Sequence, residues 1–70
     1  KDNQLAAAVL ELPIKYREVI VLYYYEDMTS NAIALLLNIP ENTVKTRLKR
    51  AREQLKSKLA PLQGEVNFNE

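Results

Sequence analysis

Apolar residues recur along the chain at the three- and four-residue spacing of a helix lying on a core. Leu5, Ala8, Val9 and Leu12 mark a first helix running to about Glu11, with Asp2 or Asn3 as its cap. Leu12-Pro13 interrupts it, and Pro13 suits the first position of the next helix. Tyr16, Val19, Ile20 and Tyr23 give a second stripe, predicting a helix over about 13–25 that Glu26-Asp27 ends. Val19 to Tyr25 also has high strand propensity. The polar Lys15, Arg17 and Glu18 fall off the stripe, and no hairpin turn flanks it, so helix is preferred.

Thr29 is an N-cap for a third helix, Ser30 to Leu37, with Met28 and Ile33 spaced as a hydrophobic staple. Ala32 stands where a capping box would need Glu or Gln. Asn38-Ile39-Pro40 is a short break. A fourth helix runs from about Glu41 to Leu59, with Glu41 at its positive end and Lys56 and Lys58 near its negative end. Pro61 stops it. The pattern predicts an all-α fold: a small four-helix domain over residues 1–60, containing a helix-turn-helix at about 29–37 and 41–59. Residues 61–70 read as a flexible acidic tail.

Composition narrows the chemistry. The 70 residues include no Cys, no His and one Gly, so thiolate and imidazole ligands, the usual general base and a glycine-rich phosphate loop are all missing. These absences argue against an enzyme, and no cofactor, metal or small-molecule substrate is expected. No apolar run approaches the roughly 18 residues that span a bilayer, and no signal-peptide pattern opens the chain. A cytoplasmic protein without a membrane partner is expected. Lys1 is not an initiator Met, which suggests a piece of a longer protein.

The net charge of +1 hides a segregation. Residues 1–40 hold three cations against five acids, residues 41–60 seven against two, and residues 61–70 two acids alone. Five of the cations lie between Thr43 and Arg52, around an apolar seam of Val44, Leu48 and Ala51. A helix with one edge on a core and a basic remainder fits a polyanion, and nucleic acid comes first.

With Val44 and Leu48 facing inward, a rotation of about 100° per residue points Asn42, Thr46, Lys49 and Glu53 outward. Lys45 and Arg52 lie on one flank. Arg50 and Arg47 lie on the other, Arg47 nearest the core edge. Asn42, Thr46, Lys49 and Arg50 are therefore candidates for base edges in the major groove. Thr43, Lys45, Arg47 and Arg52 are candidates for phosphates, as are Thr29 and Ser30 through amides at the preceding helix N-terminus. Tyr23-Tyr24-Tyr25 could stack single-stranded bases, but such a run is more often core and rim. Leu35, Leu36 and Leu37 cannot all face inward, and Leu35 is the candidate partner contact. Glu18, Glu26 and Asp27 read as solvated.

Two stretches carry a family resemblance. Leu12-Pro13-x-x-Tyr16-Arg17-Glu18-Val19-Ile20-x-Leu22-Tyr23-Tyr24-Tyr25-Glu26-Asp27-Met28-Thr29 is similar to the opening of the C-terminal region 4 domain of bacterial sigma factors, above all the extracytoplasmic-function (ECF) group. Ile33-Ala34-x-x-Leu37-x-Ile39-Pro40-Glu41-x-Thr43-Val44-Lys45-Thr46-Arg47-Leu48-x-Arg50-Ala51-Arg52-x-x-Leu55 continues it. The family usually has Glu at the position of Ala32, and often Gly at those of Asn38 and Asn42. Asn42 leaves the base preference at the start of the recognition helix open.

The resemblance implies recognition of the promoter −35 element in double-stranded DNA by Lys45, Thr46, Lys49 and Arg50, with Arg47 and Arg52 nearby. It implies docking on the β flap of the RNA polymerase core and, in many ECF factors, cover by an anti-sigma factor. It places strand melting in another region of a full sigma factor, so this module is not expected to direct initiation alone. Two other readings stay open: a protein-docking module for those partners, and a response-regulator-type output domain, which shares part of the second motif.

Overall fold

The computed structural model describes residues 2–59, so the expectation of a flexible tail at 61–70 lies outside the described residues. Four α-helices follow in order: α1 (Asp2–Leu10), α2 (Ile14–Ile20), α3 (Ser30–Leu37) and α4 (Glu41–Leu59). Helix α1 already includes Asp2 and Asn3, so neither serves as its cap. A tight turn at its end, Leu12 N–H to the Val9 carbonyl at 3.1 Å, swings Leu12 inward to 1% exposure. Pro13 lies just outside α2, and its carbonyl accepts from the amides of Tyr16 and Arg17, both at 2.9 Å. Within α2, Tyr16, Val19 and Ile20 are buried as the stripe predicts.

The expectation fails at Tyr23. Helix α2 passes directly into a π-helical turn, Val21–Tyr25, in which Glu26 N–H reaches the Val21 carbonyl at 3.1 Å. The wider turn shifts the register, so Tyr23, Tyr24 and Tyr25 are all exposed and none is core. Val21 and Leu22 pack on the core instead. The chain then reverses at Asp27, in the left-handed region at φ 59°, and Met28 N–H closes the reversal on the Leu22 carbonyl at 3.0 Å.

Helix α3 begins as its sequence predicts. Thr29 Oγ1 accepts from the Ala32 amide at 3.1 Å, and Met28 packs against the core that contains Ile33. Asn38 ends α3 in the left-handed conformation, φ 59° and ψ 49°, and Ile39 N–H returns to the Ala34 carbonyl at 3.0 Å. The same carbonyl also accepts from the Asn38 amide, so the last turn of α3 closes on one shared acceptor. Pro40 starts the next element, its carbonyl accepting from Thr43 and Val44 at 3.0 and 3.2 Å. Helix α4 is the spine of the domain: α1, α2 and α3 all pack against it. Its seam of Val44, Leu48, Ala51, Leu55 and Leu59 is buried along its full length. Lys58 pairs with Glu11 at 3.5 Å across the far end.

Candidate nucleic-acid interface

The helix-turn-helix is held at two points beyond its core. The left-handed Asn38 sets the turn, and Ser30 Oγ donates to Glu41 Oε2 at 2.8 Å, tying the start of α3 to the start of α4. That bond is the main reason the Glu41 carboxyl sits below its ordinary value; desolvation opposes it, and Asn31 and then Lys45 add to the lowering. The first two turns of α4 are thus presented on a braced support.

Rotation places the candidate side chains much as the sequence reading expects. Asn42, Thr46, Lys49 and Arg50 are exposed. Thr43, Arg47 and Arg52 are half-buried, and Lys45 is exposed. Most of the cations on this helix face a neighbour. Lys45 Nζ lies 3.8 Å from Glu41, Lys49 Nζ 3.9 Å from Glu53, and Arg47 Nη1 4.0 Å from Glu18. These are long, solvent-touching pairs that contribute little to stability, so a phosphate or base can displace them at little cost. Glu18 is therefore a partner of Arg47 rather than simply a solvated acid. Arg52 donates to the Tyr24 hydroxyl at 3.4 Å, which joins the π-turn to the flank of α4.

The site residues divide into two neighbourhoods. Asn42, Thr43, Thr46, Arg47 and Arg50 line one concavity of about 260 Å³, together with Lys15 and Tyr16 from α2. Thr29 and Ser30 line another, of about 480 Å³, with Tyr23, Tyr24, Asp27 and Met28. Lys45, Lys49 and Arg52 line neither of these two. Lys15 is absent from the candidates read off the sequence, its only signal there being its position off the apolar stripe of α2, and Tyr24 figures among them only as a stacking or rim residue, not as a partner of Arg52. The sequence reading named Leu35 as the outward leucine, yet Leu36 joins it, at 77% and 61% exposure respectively. Among the described residues, no cluster of His, Cys, Asp or Glu could hold a metal ion. No helix there is long and apolar enough to cross a membrane.

A basic second helix braced behind a left-handed turn suits many DNA-binding folds, and comparison with known families separates them. The family model described as Sigma-70, region 4 matches residues 2–55. The chain belongs to the sigma-70 region 4 family. It is 47% identical over 61 residues to the ECF RNA polymerase sigma factor SigW of Bacillus subtilis (strain 168), covering 87% of this chain and 33% of the relative. It is 41% identical over 59 residues to the RNA polymerase sigma factor SigV of the same organism, covering 84% of this chain and 36% of the relative. It is 38% identical over 53 residues to the ECF RNA polymerase sigma factor SigM, covering 76% and 32%. The chain spans about a third of the length of these curated relatives. In this region 4 domain the matched span takes in the whole helix-turn-helix turn and every candidate DNA residue, ending at Leu55.

Proposed function

We propose that this region 4 domain reads the −35 element of promoters for an ECF-type sigma factor, and so directs RNA polymerase to them. One observation carries the reading: Asn42, Thr46, Lys49 and Arg50 stand exposed on the first three turns of α4, opposite the buried Val44–Leu48 seam. In a helix-turn-helix these turns meet base edges in the major groove. Lys49 and Arg50 donate to guanine O6 and N7, Thr46 offers a hydroxyl or a methyl, and Asn42 an amide. Thr43, Lys45, Arg47 and Arg52 hold phosphates and fix the register, with the amides at Thr29 and Ser30 anchoring α3 on the backbone. The work is binding, with no catalytic step, and it belongs in the cytoplasm with promoter and polymerase. The family match over residues 2–55 favours this reading over a response-regulator-type output domain.

The experiment is a binding comparison on a −35-type and a scrambled duplex. Lys49→Ala and Arg50→Ala should each cost about 1–3 kcal/mol where a bidentate base contact is lost, and should relax the preference between duplexes. Full discrimination by the double variant would mean that another face of the domain reads the sequence.

A protein-docking role accompanies this one, and the exposed Leu35 and Leu36 favour it. The polymerase β flap and an anti-sigma factor are the proposed partners. Leu35→Asp should weaken capture of either protein if this surface is used, and leave DNA affinity unchanged.

A further inference from the structure

The concavity beside the base-reading face contains a cation that no DNA role has yet absorbed. Lys15 is the second residue of α2, and it lines the same hollow as Asn42, Thr43, Thr46, Arg47 and Arg50 of α4. Tyr16 forms part of the wall. Its ring is buried, and Lys15 Nζ rides 5.3 Å from the ring centroid, which restrains the long side chain on that wall. No carboxylate lines the hollow. The lining offers three cations, two threonine hydroxyls, one amide and one phenol.

Ion pairing divides the cations further. Lys45, Arg47, Lys49 and Lys58 each face a carboxylate within 4.0 Å, whereas Lys15 and Arg50 face none among the described residues. Glu18 holds Arg47 from outside the lining at 4.0 Å. Two uncompensated cations and a half-neutralised third therefore converge, from two different helices, on a space lined with donors. Such a space attracts an anion with several acceptor oxygens.

We propose that this hollow is a backbone-phosphate cradle, in which Lys15 and Arg47 clasp one phosphodiester of the DNA while Arg50, at its rim, reads the neighbouring base. The proposal rests on the −35 reading above, because Asn42, Thr46 and Arg50 belong both to the cradle and to the base-reading face. The clasped phosphate therefore flanks the bases being read. Lys15 adds affinity and register without sequence preference. It also makes α2 a third DNA-contacting element, beside α3 and α4.

The test uses the 70-residue chain, a −35-type duplex and a scrambled duplex, with affinities measured across a salt series. Lys15→Gln should weaken binding to both duplexes by the same factor and leave their ratio unchanged. Loss of one phosphate contact should flatten the slope of log K against log salt by about 0.9. The wild-type chain should therefore lose about 3.5-fold more affinity than Lys15→Gln between roughly 50 and 200 mM salt. Lys15→Arg should restore the slope. Lys56→Gln, which removes an exposed charge near the far end of α4, should leave the slope unchanged. Thermal melts of each variant establish that the fold is intact.

A second arm locates the phosphate. Single methylphosphonates, which neutralise one phosphate each, are scanned along the duplex. One position should weaken the wild-type chain more than Lys15→Gln, because the variant has already lost part of that contact. A slope for Lys15→Gln equal to wild type, with duplex discrimination intact, overturns the cradle and leaves the −35 reading standing. A slope change equally large in Lys56→Gln reduces the effect to net charge and also overturns the cradle. Equal binding of both duplexes by the wild-type chain overturns the −35 reading, while the slopes still judge the cradle. Absence of DNA binding by the wild-type chain overturns both.

Discussion

Asn38 offers a direct test of what sets the angle between α3 and α4. Its backbone lies at φ 59° and ψ 49°, where a Cβ crowds the following carbonyl. That crowding costs an ordinary residue about 1–2 kcal/mol, and Asn escapes part of it through local hydrogen bonding. Asn38→Ala keeps the Cβ and loses the relief, so it should destabilise the domain by about 1 kcal/mol. Asn38→Val adds β-branching in a region where branched residues are outliers, and should cost more. Asn38→Gly removes the clash but frees the unfolded chain, an opposing effect of about 0.5–1 kcal/mol, so it should match or slightly exceed the parent.

The whole domain holds only roughly 3–10 kcal/mol at about 0.05–0.15 kcal/mol per residue, so these steps are large on its scale. Each kcal/mol should move the melting temperature by about 4–8 °C in a chain of this size. Thermal unfolding followed by far-UV circular dichroism should rank the four proteins Gly at or above Asn, then Ala, then Val. An Ala variant as stable as the parent, or a Val variant above Ala, would refute the claim that the left-handed turn carries this cost. DNA affinity measured well below each midpoint should be nearly constant, because Asn38 is not among the residues assigned to DNA.

Three further outcomes follow from the same structure. Thr29→Ala removes the acceptor for the Ala32 amide and should cost about 1 kcal/mol in chemical denaturation, with little change in m-value. The Glu41 carboxyl is held below its ordinary value of 4.5, so its contribution to stability is present above that pH and disappears as pH falls through the lowered folded value. Ser30→Ala should therefore melt below the parent at neutral pH, with the gap closing in acid; a gap that widens in acid would contradict the assignment. Leu55→Ala, at a side chain 1% exposed, should cost about 2–5 kcal/mol, whereas Leu36→Ala, at 61% exposure, should stay within about 0.5 kcal/mol, both read by urea unfolding.

Local signals in the sequence located the helix-turn-helix because each piece of it is a short-range device. The Thr29 cap, the Asn38 turn and the Val44, Leu48 and Ala51 seam depend on neighbours a few residues away, so period and residue type suffice to place them. The outward face of α4 follows from the same rotation that buries its seam. The all-α class and the basic outer face of α4 are therefore properties of the chain read in one dimension.

Packing decided the rest. The π-turn at Val21–Tyr25 interrupts an otherwise regular apolar stripe, and only its closure onto Met28 through the Leu22 carbonyl shows why Tyr23 leaves the core. The Glu18–Arg47 pair joins residues 29 positions apart, and the Arg52–Tyr24 bond joins residues 28 apart. Lys15 meets Arg50 around one hollow because α2 packs on α4. Such meetings depend on the crossing of two helices, which no spacing within either helix encodes. Which surface of α4 is polar and positive is written in its own periodicity; which residues of other helices share that surface follows only from how those helices pack on it.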